Sequence, residues 1–296
     1  MIKVYLASGW FNERDERILT KLEDYLVSMA PEISVYRPRK DGIELTPEDF
    51  HDHAKRKSVF DSNVRNIDTA DLLVVNLDCG SPRLDTGTVW ECARAVTLGI
   101  PVVIYNEVEE PPLLGLRMGN LVTGIGIREV HTISELDYIL RSYLTFGVPK
   151  YPAVSTQEDE DDVEPYPVFL LDYETSVEDS STPFLATCIE HLPRLKVIDT
   201  SHKRSKSAVE DTPAKFYIIP TDSKDPRITW YMSTAYARGI PIFTYSSKGS
   251  SLNLMLIFSV VKHCVGISDL YDTLSQIQTD GIESFEEFNT DGIRVY

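Results

Sequence analysis

Two stretches of this 296-residue chain repeat one another at a fixed offset, and no other feature restricts its fold as strongly. Residues 85–105 read DTGTVWECARAVTLGIPVVIY, and residues 225–245 read DPRITWYMSTAYARGIPIFTY. Each has an Asp, a Trp five residues on, an Ala-x-x-x-Gly-Ile-Pro segment and an apolar run that ends in Tyr. Agreement in one register over that length reads as an internal duplication, so two copies of one folding unit are expected. The flanking pieces match in the same order. Each half opens on a short apolar run, KVYLA at 3–7 and VFLLD at 168–172. Each also has a middle run, DLLVVNL at 71–77 and KFYIIP at 215–220. Runs rich in Val, Ile and Tyr that alternate with helix-period segments predict parallel α/β sheets. Gly99-Ile100-Pro101 and Gly239-Ile240-Pro241 supply a helix stop followed by a strand start.

The expected organisation is a first unit over residues 1–150, a linker over 151–167 and a second unit over 168–296. The linker contains five consecutive acidic residues, 158–162, which stay solvated rather than pack. A basic cluster, TSHKRSKSAVEDTP at 200–213, reads as a surface loop.

Charge narrows the partners. Against 29 basic residues stand 46 acidic ones, a net charge of −17. Such a surface repels phosphate backbones, so a nucleic-acid polymer is not an expected partner. No apolar run approaches the ~20 residues that span a bilayer, and the N-terminus reads as a first strand rather than a signal peptide. Cys79, Cys92, Cys188 and Cys264 lack CxxC spacing and read as reduced, packed thiols of a cytoplasmic protein. His51 and His53 read as a solvated helix start, and no metal site is expected.

In an open α/β sheet, ligands sit at the C-terminal ends of the strands. Three segments of the first half converge there: Ser8-Gly9-Trp10-Phe11, the loop that ends in Asp85-Thr86-Gly87-Thr88, and the helix start that carries Glu91. Gly9 and Gly87 permit close backbone approach, while Trp10 and Phe11 offer flat faces to a planar heterocycle. The helix N-terminus is expected to keep Glu91 ionised, as a nucleophile requires. On spacing alone, Asp85 and Glu91 read as a loop acid and an ordinary helix glutamate before they read as a reactive pair.

Three motifs together add to that reading. GWF follows the opening strand, Asn63-x-x-x-Ile67-x-x-x-Asp71 follows later, and Asp-x-Gly-Thr-x-x-Glu runs from Asp85 to Glu91. This set resembles the nucleoside 2-deoxyribosyltransferases, well in the first half and in degenerate form in the second. Ser251-Leu252-Asn253-Leu254-Met255 resembles the family's Asn-Leu-Met segment, and residues 291–296 resemble its C-terminal Gly-x-x-Tyr ending.

The resemblance implies two tandem Rossmann-like (flavodoxin-like) units that form a pseudo-dimer with one working site. In the second unit Tyr231 stands where Glu91 stands, and Arg227 where Gly87 stands. A tyrosine of pKa ~10 is a poor replacement for a carboxylate. The first unit, conversely, has Leu113-Leu114-Gly115 where the second has Asn253-Leu254-Met255. By the same resemblance Glu91 attacks the anomeric carbon of a 2′-deoxynucleoside, with Tyr5 orienting it. Asp85 and Asn253 hold sugar hydroxyls, and Trp10, Phe11 and Met255 sandwich the base. Asn63, Gly87, Thr88 and Tyr296 complete the binding set. For Tyr5, a plain core aromatic of the first strand is the competing reading.

No metal or organic cofactor is implied, and the partners are 2′-deoxynucleosides and free nucleobases. Family oligomers suggest a trimer of pseudo-dimers. Asn63 departs from relatives with Asp there; an amide cannot protonate a leaving base, which leaves Asp61 or water. Two rival functions are a hydrolase of nucleoside 5′-monophosphates, with Ser8, Arg39 and Ser81 as phosphate ligands, and a non-catalytic nucleotide-binding protein.

Overall fold

The computed structural model describes residues 1–78, 80–81, 84–108, 126–153, 166–170, 195–199, 216–221, 226–247, 249, 251–285 and 294–295. The chain divides into two compact units, Met1–Ser155 and Thr156–Tyr296.

In the first unit the elements are β1 (Ile2–Ser8), α1 (Glu13–Ser28), β2 (Ile33–Tyr36), α2 (Pro38–Asp41), α3 (His53–Asp68), β3 (Leu72–Asn76), α4 (Thr86–Thr97), β4 (Val102–Tyr105), β5 (Ile127–Val130) and α5 (Ile133–Phe146). The five strands form one parallel sheet in the order β2-β1-β3-β4-β5. Nearly every residue of β1, β3 and β4 is buried, as a sheet covered on both faces requires. Val4, Leu6, Leu72, Val74, Val103 and Tyr105 pack on one face with Ile18, Leu19, Leu22 and Leu26 of α1 and with Leu136 and Leu140 of α5. Side chains alternate along a strand, so Tyr5 points to the other face, where α4 packs on β1, β3 and β4. Phe60 of α3 and Trp90 of α4 meet there edge-on, with ring centroids 5.7 Å apart.

The helix starts follow from side-chain caps. Asn12 opens α1 by accepting from the Asp15 backbone N–H at 3.0 Å, and Thr132 opens α5 in a capping box with Glu135. Each satisfies backbone donors that the first turn leaves free.

In the second unit the described strands are β6 (Tyr166–Leu170), β7 (Leu195–Asp199), β8 (Phe216–Pro220), β9 (Ile242–Ser246), β10 (Ser251–Leu252), β11 (Lys262–Val265) and β12 (Arg294–Val295). The described helices are α6 (Pro226–Ala237), α7 (Leu254–Ile257) and α8 (Gly266–Asp280). Five strands form a parallel sheet ordered β7-β6-β8-β9-β11, and β10 pairs with β12. Counting only the strands of this five-stranded sheet, the order is that of the first unit; β10, between β9 and β11 in the chain, lies outside it. Strand β6 begins two residues before the expected 168, because Pro167 is tolerated at a strand entry. Phe216, Ile218, Phe243, Tyr245 and Cys264 pack with Leu270, Leu274 and Ile277 of α8.

Cys92 and Cys264 are buried free thiols. Cys79, Cys188, most of the acidic linker and the basic cluster at 200–213 lie outside the described residues. Among the described residues no helix is long and apolar enough to cross a membrane. No three His, Cys, Asp or Glu side chains among them gather as a metal site.

Candidate active site

The order of the first sheet places its switch point between β1 and β3, where crossovers leave in opposite directions and a crevice opens beyond the strand ends. The last residues of both strands are tied there. Asn76 Nδ2 donates to Ser8 Oγ at 3.0 Å, and Ser8 Oγ donates to the Gly9 carbonyl at 2.7 Å. The β1–α1 loop then presses onto the loop that enters α4. A Cβ on Gly9 would stand 2.9 Å from Asp85 Cβ, closer than real side chains allow. Gly9→Ala is therefore expected to push the two loops apart, at about 1–3 kcal/mol in stability and roughly tenfold or more in turnover. A thermal melt and a rate assay would check it; wild-type values in both would show that the loops yield without cost.

Asp85 is the N-cap of α4, and its Oδ2 accepts from Thr88 N–H at 2.7 Å and from Thr88 Oγ1 at 2.8 Å. Burial raises its pKa, while the Thr88 and Gly87 hydrogen bonds oppose the shift. Six residues on, Glu91 is only 6% exposed and points at the sheet. Its Oε1 accepts a 2.6 Å hydrogen bond from the Tyr5 hydroxyl. Burial pushes the Glu91 carboxyl up to about 8; the Tyr5 bond lowers it and the charge of Asp85 adds to the rise. The expectation that the helix N-terminus keeps Glu91 ionised is thus corrected. A helix dipole contributes at most ~1 kcal/mol at such a distance, less than one pKa unit, whereas full burial shifts a carboxyl by several. Tyr5 is itself held neutral, its pKa raised well above the usual value by burial and then by Glu91, so it remains a donor.

The first unit therefore brings Tyr5, Asp85, Gly87, Thr88 and Glu91 together. Trp10 and Phe11 lie on the loop above them, 37% and 68% exposed, and stack on each other with centroids 5.4 Å apart. Trp10 also lines a shallow cleft with Ser8, Arg37 and Arg39, on the α1 side of the sheet. Asn63 is buried in α3, and its side chain makes no hydrogen bond to a described residue. Asp61 is paired with Lys57. Arg39 is held by Glu16 at 2.6 Å, and Ser81 accepts from Asn12 Nδ2 at 3.2 Å.

Asn253 and Met255 belong to the second unit. There Asn253 caps α7, its Oδ1 accepting from the Met255 N–H at 2.9 Å, and Met255 is buried. Tyr231 is buried in α6. Tyr296 lies outside the described residues.

One acid of this region escaped the reading of the sequence. Asp15 resembles Glu13 and Glu16, first-turn acids favoured by the helix dipole. In the fold it is 6% exposed, and its Oδ2 accepts from Asn12 Nδ2 at 2.6 Å. Asp15 Oδ2 and Asp85 Cγ each lie 3.5 Å from the place a Gly9 Cβ would occupy, so they are at most 7.0 Å apart. The signal available in the sequence was Gly9 itself, a residue without a side chain where two loops and a third group crowd together.

Fold and site define a class: a doubly wound parallel α/β unit with a buried, tyrosine-bridged carboxylate under its switch point. The profile of the nucleoside 2-deoxyribosyltransferases matches residues 4–164, more than half of the chain. The chain belongs to that family, one of enzymes that act on nucleosides. Similar solved structures include a 2-deoxyribosyltransferase from the psychrotolerant bacterium Bacillus psychrosaccharolyticus, at 24% identity and TM-score 0.38 over 50% of this chain and 98% of that one. A conserved protein from Enterococcus faecalis V583 aligns at 21% identity and TM-score 0.38, covering 48% of this chain and 98% of its own. The CMP N-glycosidase BcmB of Clostridium botulinum aligns at 18% identity and TM-score 0.32, over 48% of this chain and 98% of that one. No protein of curated function matches the sequence.

Proposed function

We propose that the protein is a nucleoside 2-deoxyribosyltransferase that exchanges nucleobases on 2′-deoxynucleosides through a deoxyribosyl-glutamate. The observation that carries this reading is the 2.6 Å bond from Tyr5 to a Glu91 otherwise sealed from solvent. In its ionised form Glu91 attacks the anomeric carbon, the bond from that carbon to the base nitrogen breaks, and the electron pair leaves with the base. Water supplies the proton the departing base needs, since Asn63 is an amide and Asp61 is bound to Lys57. A second base then attacks the same carbon, its ring N–H proton passes to water, the ester bond breaks with its electron pair returning to Glu91, and two inversions give net retention, as in a retaining glycosidase.

In this reading Asp85, Gly87 and Thr88 shape the sugar site, and Trp10, Phe11 and Asn63 border the base. The second unit is a degenerate copy that contributes Asn253, Met255 and Tyr296. Support for that role comes from the common strand order and from the aligned segments at 85–105 and 225–245. The active particle is then a pseudo-dimer, assembled as a trimer of pseudo-dimers in the cytoplasm and serving nucleoside salvage.

The test is chromatographic. Thymidine or 2′-deoxyinosine incubated with adenine should yield 2′-deoxyadenosine. Free base and deoxyribose alone would replace the transferase with a hydrolase, and no turnover of any nucleoside or monophosphate would leave a binding protein.

A further inference from the structure

We infer that Arg14 is a positioning residue of this site: its guanidinium, bound to Asp78 and laid flat on Gly80, holds the loop that enters α4 against the loop that leaves β1. The inference rests on the proposed reaction at Glu91 and deepens it.

Arg14 stands in the first turn of α1 among Glu13, Asp15 and Glu16. The positive end of the helix dipole favours those acids and disfavours a cation, so Arg14 needs a partner beyond its own helix. It has one in Asp78, just past β3, whose side chain is fully buried. Arg14 Nε donates to Asp78 Oδ2, and Nη2 donates to Oδ1 at 3.2 Å, a two-point bond. A Cβ on Gly80 would stand 2.6 Å from Arg14 Cζ and Nη2 and 2.7 Å from Nε. Near-equal distances to three coplanar atoms put the flat face of the guanidinium over Gly80. A lysine offers neither the plane nor the second bond. Arg17 and Lys21 are engaged by Glu107.

From Asp78 the contacts run on to the reactive residues. The Asp78 N–H donates to Asn76 Oδ1 at 3.3 Å. Asn76 holds Ser8, whose hydroxyl donates to the Gly9 carbonyl. Gly9 packs on Asp85, the cap of the helix that carries Glu91. The loop into α4 is thus gripped at residues 78 and 80 by Arg14 and met at residue 85 by Gly9. Loosening the first grip alters the spacing at the second, where the sugar sits in the proposed reaction, and rates fall steeply with such displacements. Arg14 acts through Asp78 and Gly80, outside the Asp-x-Gly-Thr-x-x-Glu motif.

Steady-state base exchange by the full-length chain tests this. Arg14→Lys keeps the charge and should lower kcat about tenfold or more, with KM changed no more than about threefold, because misplacement costs the transition state more than the bound substrate. Arg14→Ala should lose more, and guanidinium well below denaturing concentration should restore part of its rate where ammonium does not. Wild-type kcat in Arg14→Lys overturns the inference, as does a folded Arg14→Ala chain that guanidinium fails to restore. If Arg14→Ala does not fold, Gly80→Ala keeps both charges and displaces the guanidinium; wild-type kcat there overturns the inference equally. A wild type without base exchange overturns the proposed reaction instead. Arg14 is then read by calorimetric titration with 2′-deoxyinosine, whose affinity should weaken about fivefold in Arg14→Ala and recover with guanidinium. Unchanged affinity, or no binding by the wild type, removes the positioning role as well.

Discussion

Glu91→Gln is expected to lower base exchange by at least roughly a thousandfold, because an amide oxygen cannot form the glycosyl ester and no neighbouring carboxylate replaces it. Asp85 is committed to the cap of α4 and to Thr88, and Asp15 is bound to Asn12. The substitution is otherwise mild. Glu91 with a pKa near 8 is largely protonated at neutral pH, so the neutral glutamine replaces a mostly neutral acid of the same shape. The melting temperature at pH 7 should not fall below that of the wild type, because glutamine lacks the ionisation that favours the unfolded wild-type chain, and this separates lost chemistry from lost folding. The measurement is the rate of 2′-deoxyadenosine formation from thymidine and adenine, beside a thermal melt. A folded Glu91→Gln protein that keeps more than about a tenth of the rate would remove Glu91 as the nucleophile.

The second large effect is an opposition between stability and activity across one pH interval. The Glu91 carboxyl is raised from 4.5 to about 8, with burial as the main cause. Between those values the folded chain keeps a proton that the unfolded chain has released. The contribution of Glu91 to stability is therefore complete below about pH 4.5 and is lost as the pH rises through about 8. Activity should run the other way, since only the ionised form attacks, and kcat/KM should climb to a plateau above about pH 8. Tyr5→Phe removes the hydrogen bond that favours the ionised form. It should move the activity midpoint up by about one pH unit and lower the rate at pH 7 by roughly tenfold or more. A pH–rate profile of Tyr5→Phe with the wild-type midpoint would make Tyr5 a packing residue only. A Glu91→Gln protein should also lose the decline in melting temperature that the wild type shows between about pH 4.5 and 8.

Much of the fold was legible in the sequence because its signals are local and periodic. The apolar runs at 3–7, 71–77 and 215–220 lie on β1, β3 and β8, and Gly-Ile-Pro at 99–101 and 239–241 separates helix from strand in both units. Asp85 and Glu91 stood out for a different reason: their spacing resembles a family pattern, and that resemblance, not any spacing of its own, implied Tyr5 beside them. What spacing does not carry is burial. A helix N-terminus argues for an ionised Glu91, and only the packing of α4 against β1 reveals that desolvation outweighs it. The same holds for Asp15, indistinguishable in sequence from Glu13 and Glu16, which are exposed while Asp15 is not. Trp10 and Phe11 were read as faces for a base; their mutual stacking and Trp10's place beside Arg37 and Arg39 depend on how the loop leaves β1.

In the proposed reaction, the seal around Glu91 also bears on which form of the protein would persist between half-reactions. A charged carboxylate in that position lacks the solvation water would give, whereas a glycosyl ester is neutral and suffers far less from the same surroundings. Burial therefore tilts the balance from the free carboxylate toward the sugar-loaded protein. A site that merely bound and released nucleosides would gain nothing from this bias. One that must wait, sugar in hand, for the next base to arrive gains a longer-lived intermediate.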